Sequence, residues 1–141
     1  MTQFLGKGGA HVELMGAEFI DFDPVSETIT MRFNAPDSFI TGRGGVQGGL
    51  VAGFLDEAMG WAHVQATEGA EAPLNLEIAM TLLKLIPPGP LMGKGRVIRR
   101  GRRAIFLEGE LWDTSWTTIY ARATSTAIPT PVPGRGSDGT A

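Results

Sequence analysis

Two adjacent carboxylates, Asp56 and Glu57, lie inside the most apolar stretch of the sequence, between residues 46 and 60. A carboxylate among Leu, Val, Phe and Met side chains is costly to bury unless it is hydrogen-bonded or faces a water-filled pocket. Asp56 is therefore a candidate for acid–base chemistry. Glu57 points about 100° away around a helix, and we interpret it as solvated or as part of an interfacial salt bridge.

A glycine pair, Gly48 and Gly49, opens the same stretch and follows a Gly-rich segment at 42–45. Free backbone N–H groups at the start of a helix, aided by the helix dipole, can stabilise negative charge that develops on a carbonyl oxygen. Glycine suits this position because a substrate can approach a backbone that carries no side chain.

The segment from 47 to 66 predicts one long helix, because it contains no Pro and its large apolar residues lie almost all the way round. A helix that is apolar on every side is a buried helix. We interpret Gly53 and Gly60 as positions of close packing and His63 as a structural residue. They belong to one stripe, spaced at i, i+3 and i+4, which leaves room for another backbone or for a ligand: Gly49, Ala52, Gly53, Asp56, Gly60 and His63.

Strand-like segments lie on both sides of this helix, and their apolar residues alternate with polar ones. The order is two strands, one helix and then four strands, whose short connections predict an antiparallel meander. A single sheet curled around the helix would bury the helix on most sides, which is an α+β arrangement. The predicted strands cover residues 17–23, 27–34, 74–85, 91–99, 104–113 and 117–128.

The composition excludes several classes of protein. The 141 residues have a net charge of −3, which argues against nucleic-acid binding. Cysteine is absent and only two His residues occur, so disulfides, thiolate catalysis and a His-rich metal site are not expected, and a reducing cytoplasm is compatible. No stretch has the length or character of a signal peptide or a membrane span. We predict a flexible N-terminus at 1–10, one domain at 11–128 and a disordered tail at 129–141.

The glycine pair and its spacing to the acid resemble the hotdog-fold acyl-CoA thioesterases. The match is to the phenylacetate-pathway-like branch of the 4-hydroxybenzoyl-CoA thioesterase superfamily, in which a His-Gly-Gly opens the central helix and an acid follows nine residues after the His. Here Gln47 stands at the His position, and Asp56 follows nine residues later. The resemblance covers about residues 15–128 and implies a curled antiparallel sheet of about six strands wrapped round one long central helix.

The resemblance also implies roles for individual residues. Asp56 would act as the general base on water or as the nucleophile, and the backbone N–H of Gly48 would bind the thioester oxygen. Gln47 would help to position one of them, although it could also be a plain helix-start residue. The remaining positions are implied to bind substrate: Gly49, Thr41 in place of a frequent Asn, and Asn75 where relatives often carry a Ser or Thr.

A basic cluster at 96–103 has two interpretations. The ordinary one is a charged hairpin turn in a soluble protein. In the family that the chain resembles, this turn lies near the phosphates of coenzyme A, and guanidinium groups suit phosphate well. Arg100, Arg102 and Arg103 are therefore candidates for binding coenzyme A.

The function implied is hydrolysis of an aryl- or medium-chain acyl-CoA, with no metal and with coenzyme A only as part of the substrate. Asp56 lies about 12 Å along the helix from Gly48, too far for both to act on one carbonyl within one chain. Because hotdog proteins pair protomers, we expect a cytoplasmic homodimer or homotetramer with active sites at the subunit interface. The alternative is a non-catalytic acyl-CoA-binding or regulatory hotdog protein. A hotdog hydratase fits less well, because that branch needs His where Trp61 stands.

Overall fold

The structure is a computed structural model, and it describes residues 9–132. Within this range the chain forms two helices, one 3-10 turn and six strands. In chain order these are α1 (Ala10–Leu14), β1 (Glu18–Asp23), β2 (Thr28–Ala35), the 3-10 turn (Asp37–Phe39), α2 (Gly48–Ala66), β3 (Glu71–Leu82), β4 (Gly89–Arg100), β5 (Ile105–Trp112) and β6 (Ile119–Pro131).

The six strands form one antiparallel sheet in the order β1-β2-β4-β5-β6-β3, and α2 packs against five of them. In β2 and β5, buried residues alternate with more exposed ones, so one face of the sheet covers the helix. The contacts of five strands with one helix agree with a sheet that curls around α2. The predicted α+β arrangement is confirmed. Neither helix in the described part of the chain is long and apolar enough to cross a membrane.

The predicted four-strand meander is wrong at its first strand. β3 pairs with β6 at one edge of the sheet, whereas β4 pairs with β2. The six-residue connection at 83–88 carries the chain between these positions, and six extended residues can span about 20 Å. Its backbone is anchored on the way, because the carbonyl oxygen of Ile86 accepts the N–H of Val46 at 2.9 Å. Consecutive prolines, Pro87 and Pro88, favour this extended path.

Both predicted flexible ends lie mostly outside the described residues, and the domain boundaries differ slightly from those expected. α1 begins at Ala10, and β6 extends to Pro131. The end of β6 is ordered because it pairs with the start of β3: Val132 N–H donates to the Ala70 carbonyl at 2.9 Å. The nitrogen atoms of Pro129 and Pro131 point away from β3, towards a side of β6 that β5 does not reach. The missing N–H groups therefore cost no ladder hydrogen bond.

The close approach of α2 to the sheet depends on Gly95 of β4. A Cβ at this position would lie 2.0 Å from the carbonyl oxygen of Ala58 and 2.4 Å from its carbonyl carbon. Both are backbone atoms of the helix, so they cannot move aside as a flexible side chain could. The helix therefore lies directly on the backbone of a central strand.

Replacing Gly95 with Ala should destabilise the protein, because the added methyl group forces α2 away from β4. Overpacking of a core typically costs about 1–3 kcal/mol, and a backbone clash places this site at the upper end. The free energy of unfolding can be measured in urea, with Gly42→Ala as the control, since a Cβ there meets nothing within 4 Å. Equal unfolding midpoints for Gly95→Ala and the wild type would contradict the close packing.

Candidate active site

Asp56 lies half-buried in the middle of α2, and a chain of hydrogen bonds holds one of its oxygens. Asn75 Nδ2 on β3 donates to Asp56 Oδ1 at 2.5 Å, and Ser125 Oγ on β6 donates to Asn75 Oδ1 at 2.7 Å. Oδ2 of Asp56 has no hydrogen-bond partner within residues 9–132. One carboxylate oxygen is thus fixed, and the other is available to a water molecule.

A β-bulge in β3 turns Asn75 towards the helix. The pairing of β3 with β6 shifts register between Asn75 and Glu77, which leaves Leu76 as the extra residue. Ile78 packs on the core, so unbroken alternation would turn Asn75 to the outer face. The bulge reverses this phase, and Asn75 faces inward with Ala127, its partner on β6.

At the start of α2, two backbone donors remain open. Gln47 is the N-cap, and its Oε1 accepts the N–H of Leu50 at 3.0 Å. The N–H groups of Gly48 and Gly49 have no partner among residues 9–132. A Cβ on Gly48 would meet nothing within 4 Å, so the space beside it is open. This end of the helix can donate hydrogen bonds to an incoming oxygen.

The loop before α2 brings Thr41 to the same end of the molecule. Its N–H donates to the Gly45 carbonyl at 2.8 Å, and its carbonyl accepts from Gly44 at 2.9 Å. Gly44 has a φ of 89°, in the left-handed region that favours glycine. The Thr41 hydroxyl accepts the N–H of Arg43 at 3.3 Å, so it stabilises the turn. A role in binding substrate stays a prediction.

The basic turn lies at the opposite end of α2. Arg100 is engaged in a two-point ion pair, with Nη1 and Nη2 2.5 and 2.8 Å from the two carboxylate oxygens of Glu27, and this pairing raises its pKa. Arg102 and Arg103 are exposed and have no partner in the described part of the chain. Arg100 is close enough to the C-terminal turn of α2 to influence His63 electrostatically. His63 lies about 22 Å along the helix from Gly48, so one chain does not bring Arg100 to Gly48.

Comparisons with known proteins agree on the architecture. No protein-family model matches the sequence, and no curated protein matches it. A phenylacetic acid degradation-related protein of Ralstonia eutropha matches with a TM-score of 0.80 and 24% identity, over 90% of this chain and 96% of that one. A thioesterase of Pseudomonas aeruginosa matches at 0.78 and 18%, over 94% and 95% of the two chains. A Streptococcus mutans protein bound to acetyl-CoA matches at 0.71 and 18%, over 82% and 89%.

The chain has the hotdog fold. The predicted curled sheet of six strands round one long helix is confirmed. The matched structures thus include a thioesterase and a phenylacetic acid degradation-related protein, and each shares the fold of this chain.

The second acid of the pair, Glu57, is held within the chain. His11 Nε2 of α1 lies 2.6 Å from Glu57 Oε1, and Trp61 Nε1 donates to Oε2 at 2.7 Å. Both carboxylate oxygens of Glu57 are therefore engaged, and the residue holds α1 against the outer side of α2. Nowhere in residues 9–132 do three His, Cys, Asp or Glu side chains group to hold a metal ion.

Close packing is seen at Gly53 of the small-residue stripe on α2, whereas Gly60 has only an ordinary van der Waals contact. A Cβ on Gly53 would lie 3.1 Å from Met15 Cε, and one on Gly60 would lie 3.9 Å from Pro73 Cγ. Phe54 and Met59 are fully buried in the core of the domain. The parts of the helix that remain open are its start at Gly48 and the side that carries Asp56.

Sequence reasoning missed Ser125. This residue is 3% exposed and is one of few buried polar side chains. The available signal was the alternation in β6, where Ala121, Ala123 and Ala127 face the core. Continued through the strand, this pattern makes Ser125 the one hydroxyl in a row of inward-facing alanines, and a buried hydroxyl requires a polar partner.

His63 lies fully buried on α2, in agreement with a structural role. Its Nε2 lies 3.0 Å from Glu71 Oε1, and its Nδ1 has no hydrogen-bond partner in the described structure. Burial lowers the pKa of His63 below its ordinary value, and the Glu71 carboxylate only partly opposes this effect.

The lowered pKa of His63 should make the protein less stable as the pH falls. The unfolded His titrates near 6.5, and below that pH the unfolded chain binds a proton that the folded chain resists. The contribution of His63 to stability is fully present above pH 6.5 and is lost as the pH falls towards the folded pKa. Urea unfolding between pH 8 and pH 5 should show a steeper loss for the wild type than for His63→Gln. Parallel curves would contradict this assignment.

Proposed function

We propose that the protein is an acyl-CoA thioesterase that uses Asp56 to activate water. The observation that carries the proposal is the half-buried carboxylate, with Oδ1 fixed by Asn75 and Oδ2 without a partner in residues 9–132. A catalytic base needs this combination of a fixed position and one free oxygen. Structures with the same fold include a thioesterase and a protein with bound acetyl-CoA, which supports a coenzyme A thioester as the substrate.

The proposal requires a second copy of the chain. Gly48 and Asp56 are about 12 Å apart along one rigid helix, so the oxygen-binding donor and the base must come from different subunits. β3 forms one edge of the sheet, and its Leu74 and Leu76 are 56% and 63% exposed. An unpaired strand edge with apolar side chains favours pairing with another chain. We therefore propose a homodimer, or a tetramer of two such dimers, with two equivalent sites at the interface.

In the proposed reaction, Asp56 Oδ2 removes a proton from water as the water oxygen attacks the thioester carbonyl carbon. The carbonyl oxygen becomes negatively charged and accepts a hydrogen bond from the N–H of Gly48 of the partner subunit. Collapse of this intermediate breaks the carbon–sulfur bond, and the proton on Asp56 passes to the departing thiolate. The products are a free acid and coenzyme A. No other cofactor takes part, and the absence of cysteine suits the cytoplasm, where we place the enzyme.

For the substrate we propose an aryl- or medium-chain acyl-CoA. The similarity in fold to a phenylacetic acid degradation-related protein supports an aryl group. Arg102 and Arg103, which are exposed and without partners among residues 9–132, are suited to the phosphates of coenzyme A. Arg100 is the weaker candidate, because Glu27 already occupies its guanidinium group.

The second candidate function is binding of acyl-CoA without hydrolysis. One observation favours it: Gln47 replaces the usual His, and its Oε1 is already used to cap α2 through the N–H of Leu50. A residue engaged in this way has less freedom to orient water or the carbonyl.

Replacing Asp56 with Asn should abolish most hydrolysis, because an amide cannot accept the proton of water. Loss of a general base typically lowers the rate about 10²–10⁴-fold. The measurement is thiol release from a panel of acyl-CoAs. Glu57→Gln is the matched control, since it removes the neighbouring carboxylate, whose oxygens contact His11 and Trp61, and should keep activity.

The same panel separates the two candidate functions. Thiol release by the wild type and by Glu57→Gln, with none by Asp56→Asn, is the result expected of a thioesterase. If the wild type releases no thiol while acyl-CoA raises its melting temperature, the chain is a binding protein. Equal rates for the wild type and Asp56→Asn would refute the assignment of the base.

Replacing Gly48 with Pro should remove the oxygen-binding donor while the helix remains intact. Gly48 is the first residue of α2, where Pro is well tolerated, and Gln47 already has the extended conformation that a following Pro requires, with φ −59° and ψ 138°. Loss of one such donor typically costs about 10²–10³-fold in kcat. Gly48→Ala, which keeps the N–H and has open space for its Cβ, is the control.

Combining the two defects tests whether each site spans two subunits. When Asp56→Asn and Gly48→Pro chains are co-expressed, half of the dimers are mixed, and each mixed dimer contains one intact site. About a quarter of wild-type activity should therefore return. If both groups act within one chain, every site stays defective and no activity returns.

A further inference from the structure

The hydrogen-bond chain behind Asp56 has a direction. An ionised carboxylate can only accept hydrogen bonds, so the NH₂ end of the Asn75 amide must face Asp56. The carbonyl end of the amide then faces Ser125, whose hydroxyl is the donor, at 2.7 Å. The Asp56 carboxylate thus sets the orientation of the amide, and Ser125 satisfies its other end.

The cross-strand neighbours of Ser125 cannot take over this task. On the strands beside it, Ser125 lies opposite Leu107 of β5 and Ile78 of β3, which are apolar. At 3% exposure it is also closed to solvent. Without its hydroxyl, Asn75 Oδ1 would lose its partner in the described structure, and the amide would be held only by its contact with Asp56.

An amide that is held at one end only would form a less well-fixed hydrogen bond with Asp56. The bond from Asn75 Nδ2 favours the ionised carboxylate, so its weakening favours the protonated form. A protonated Asp56 cannot act as a base. The consequence of losing Ser125 is therefore a less effective base as well as a less fixed one.

We propose that Ser125 is a positioning residue for hydrolysis: through Asn75 it holds Asp56 with Oδ1 engaged and Oδ2 turned to the attacking water. The inference rests on the proposed thioesterase function and deepens it. It adds a residue that touches neither substrate nor water, on a strand that the family motif does not include.

The other charged groups on the elements around Asp56 have partners of their own, are exposed or lie on the outer face of the sheet. They therefore do not obscure the effect of Ser125 on Asp56. On α2, Glu57 is bound to His11 and Trp61. On β3, Glu71 pairs with His63, and Glu77 is exposed beyond the bulge. On β6, Arg122 and its neighbours of the same phase lie on the outer face of the sheet, away from the helix. A change in the pH dependence after substitution of Ser125 therefore reports on Asp56.

The test is the pH dependence of kcat and KM for Ser125→Ala, with the acyl-CoA that the wild type hydrolyses fastest. We expect kcat to fall about tenfold, as for loss of a hydrogen bond that leaves its acceptor unsatisfied, with little change in KM. The acid limb of the kcat profile should move to higher pH. Ser125→Thr keeps the hydroxyl and should restore kcat and the profile. Thr124→Ala, one residue away on the exposed outer face, should match the wild type.

Each other outcome overturns the inference. Wild-type kcat and pH profile in Ser125→Ala would show that the hydroxyl does not act on Asp56. A loss in Ser125→Ala without movement of the acid limb would mark a merely structural role. If Ser125→Ala fails to fold, Ser125→Cys takes its place, because a thiol is nearly isosteric with the hydroxyl but is a weaker donor. The acid limb of its kcat profile must then move in the same direction by a smaller amount. A wild-type protein that releases no thiol would refute both proposals, whereas an active wild type with an unaffected Ser125→Ala refutes this one alone.

Discussion

The contact between the backbones of α2 and β4 at Gly95 is the constraint on which the rest of the structure depends. Because the helix lies directly on a central strand, strands further along the sheet must curl upwards to cover its flanks. The curl leaves one side of α2 uncovered, between α1 and β3. That side carries Asp56, and the start of the helix carries the open N–H groups. The apolar character of the helix and the presence of an acid in it are thus explained by the same packing: three sides are buried, and the fourth faces outwards.

An acid on this side still needs partners, because it is only half exposed. Asn75 provides one, and it can do so only because β3 is bulged at Leu76. A bulge costs regular pairing at an edge strand, where little is lost, and gains an amide aimed at the base. Ser125 in turn satisfies the amide from the next strand. The arrangement links α2, β3 and β6 through polar side chains in a region that is otherwise apolar, so the position of Asp56 is fixed by three separate elements.

The parts that could be predicted from the sequence are those that local pattern determines. The helix, its open start at Gly48 and the exceptional Asp56 follow from composition and spacing along one element. The sheet order and the bulge do not, because strand pairing is non-local: nothing in residues 74–85 records that their partner is β6 rather than β4. The prolines at 129 and 131 suggested disorder, yet they occupy strand positions whose N–H groups need no partner. Ser125 was within reach, because its phase in β6 is regular, whereas the orientation of Asn75 was not, since it depends on one extra residue.

The separation of the donor and the base also has a structural meaning. Both belong to the same helix, so their distance is fixed by helix geometry and no change of side-chain rotamer can close it. Under the proposed function, association of two chains, rather than a conformational change, brings the donor and the base together. Two copies related by a two-fold axis create both sites at once, and one chain alone contains no complete site. The Gln47 side chain accepts the N–H of Leu50, and the N–H groups of Gly48 and Gly49 remain as the donors that a partner's substrate would meet, held in place at the rigid end of the helix.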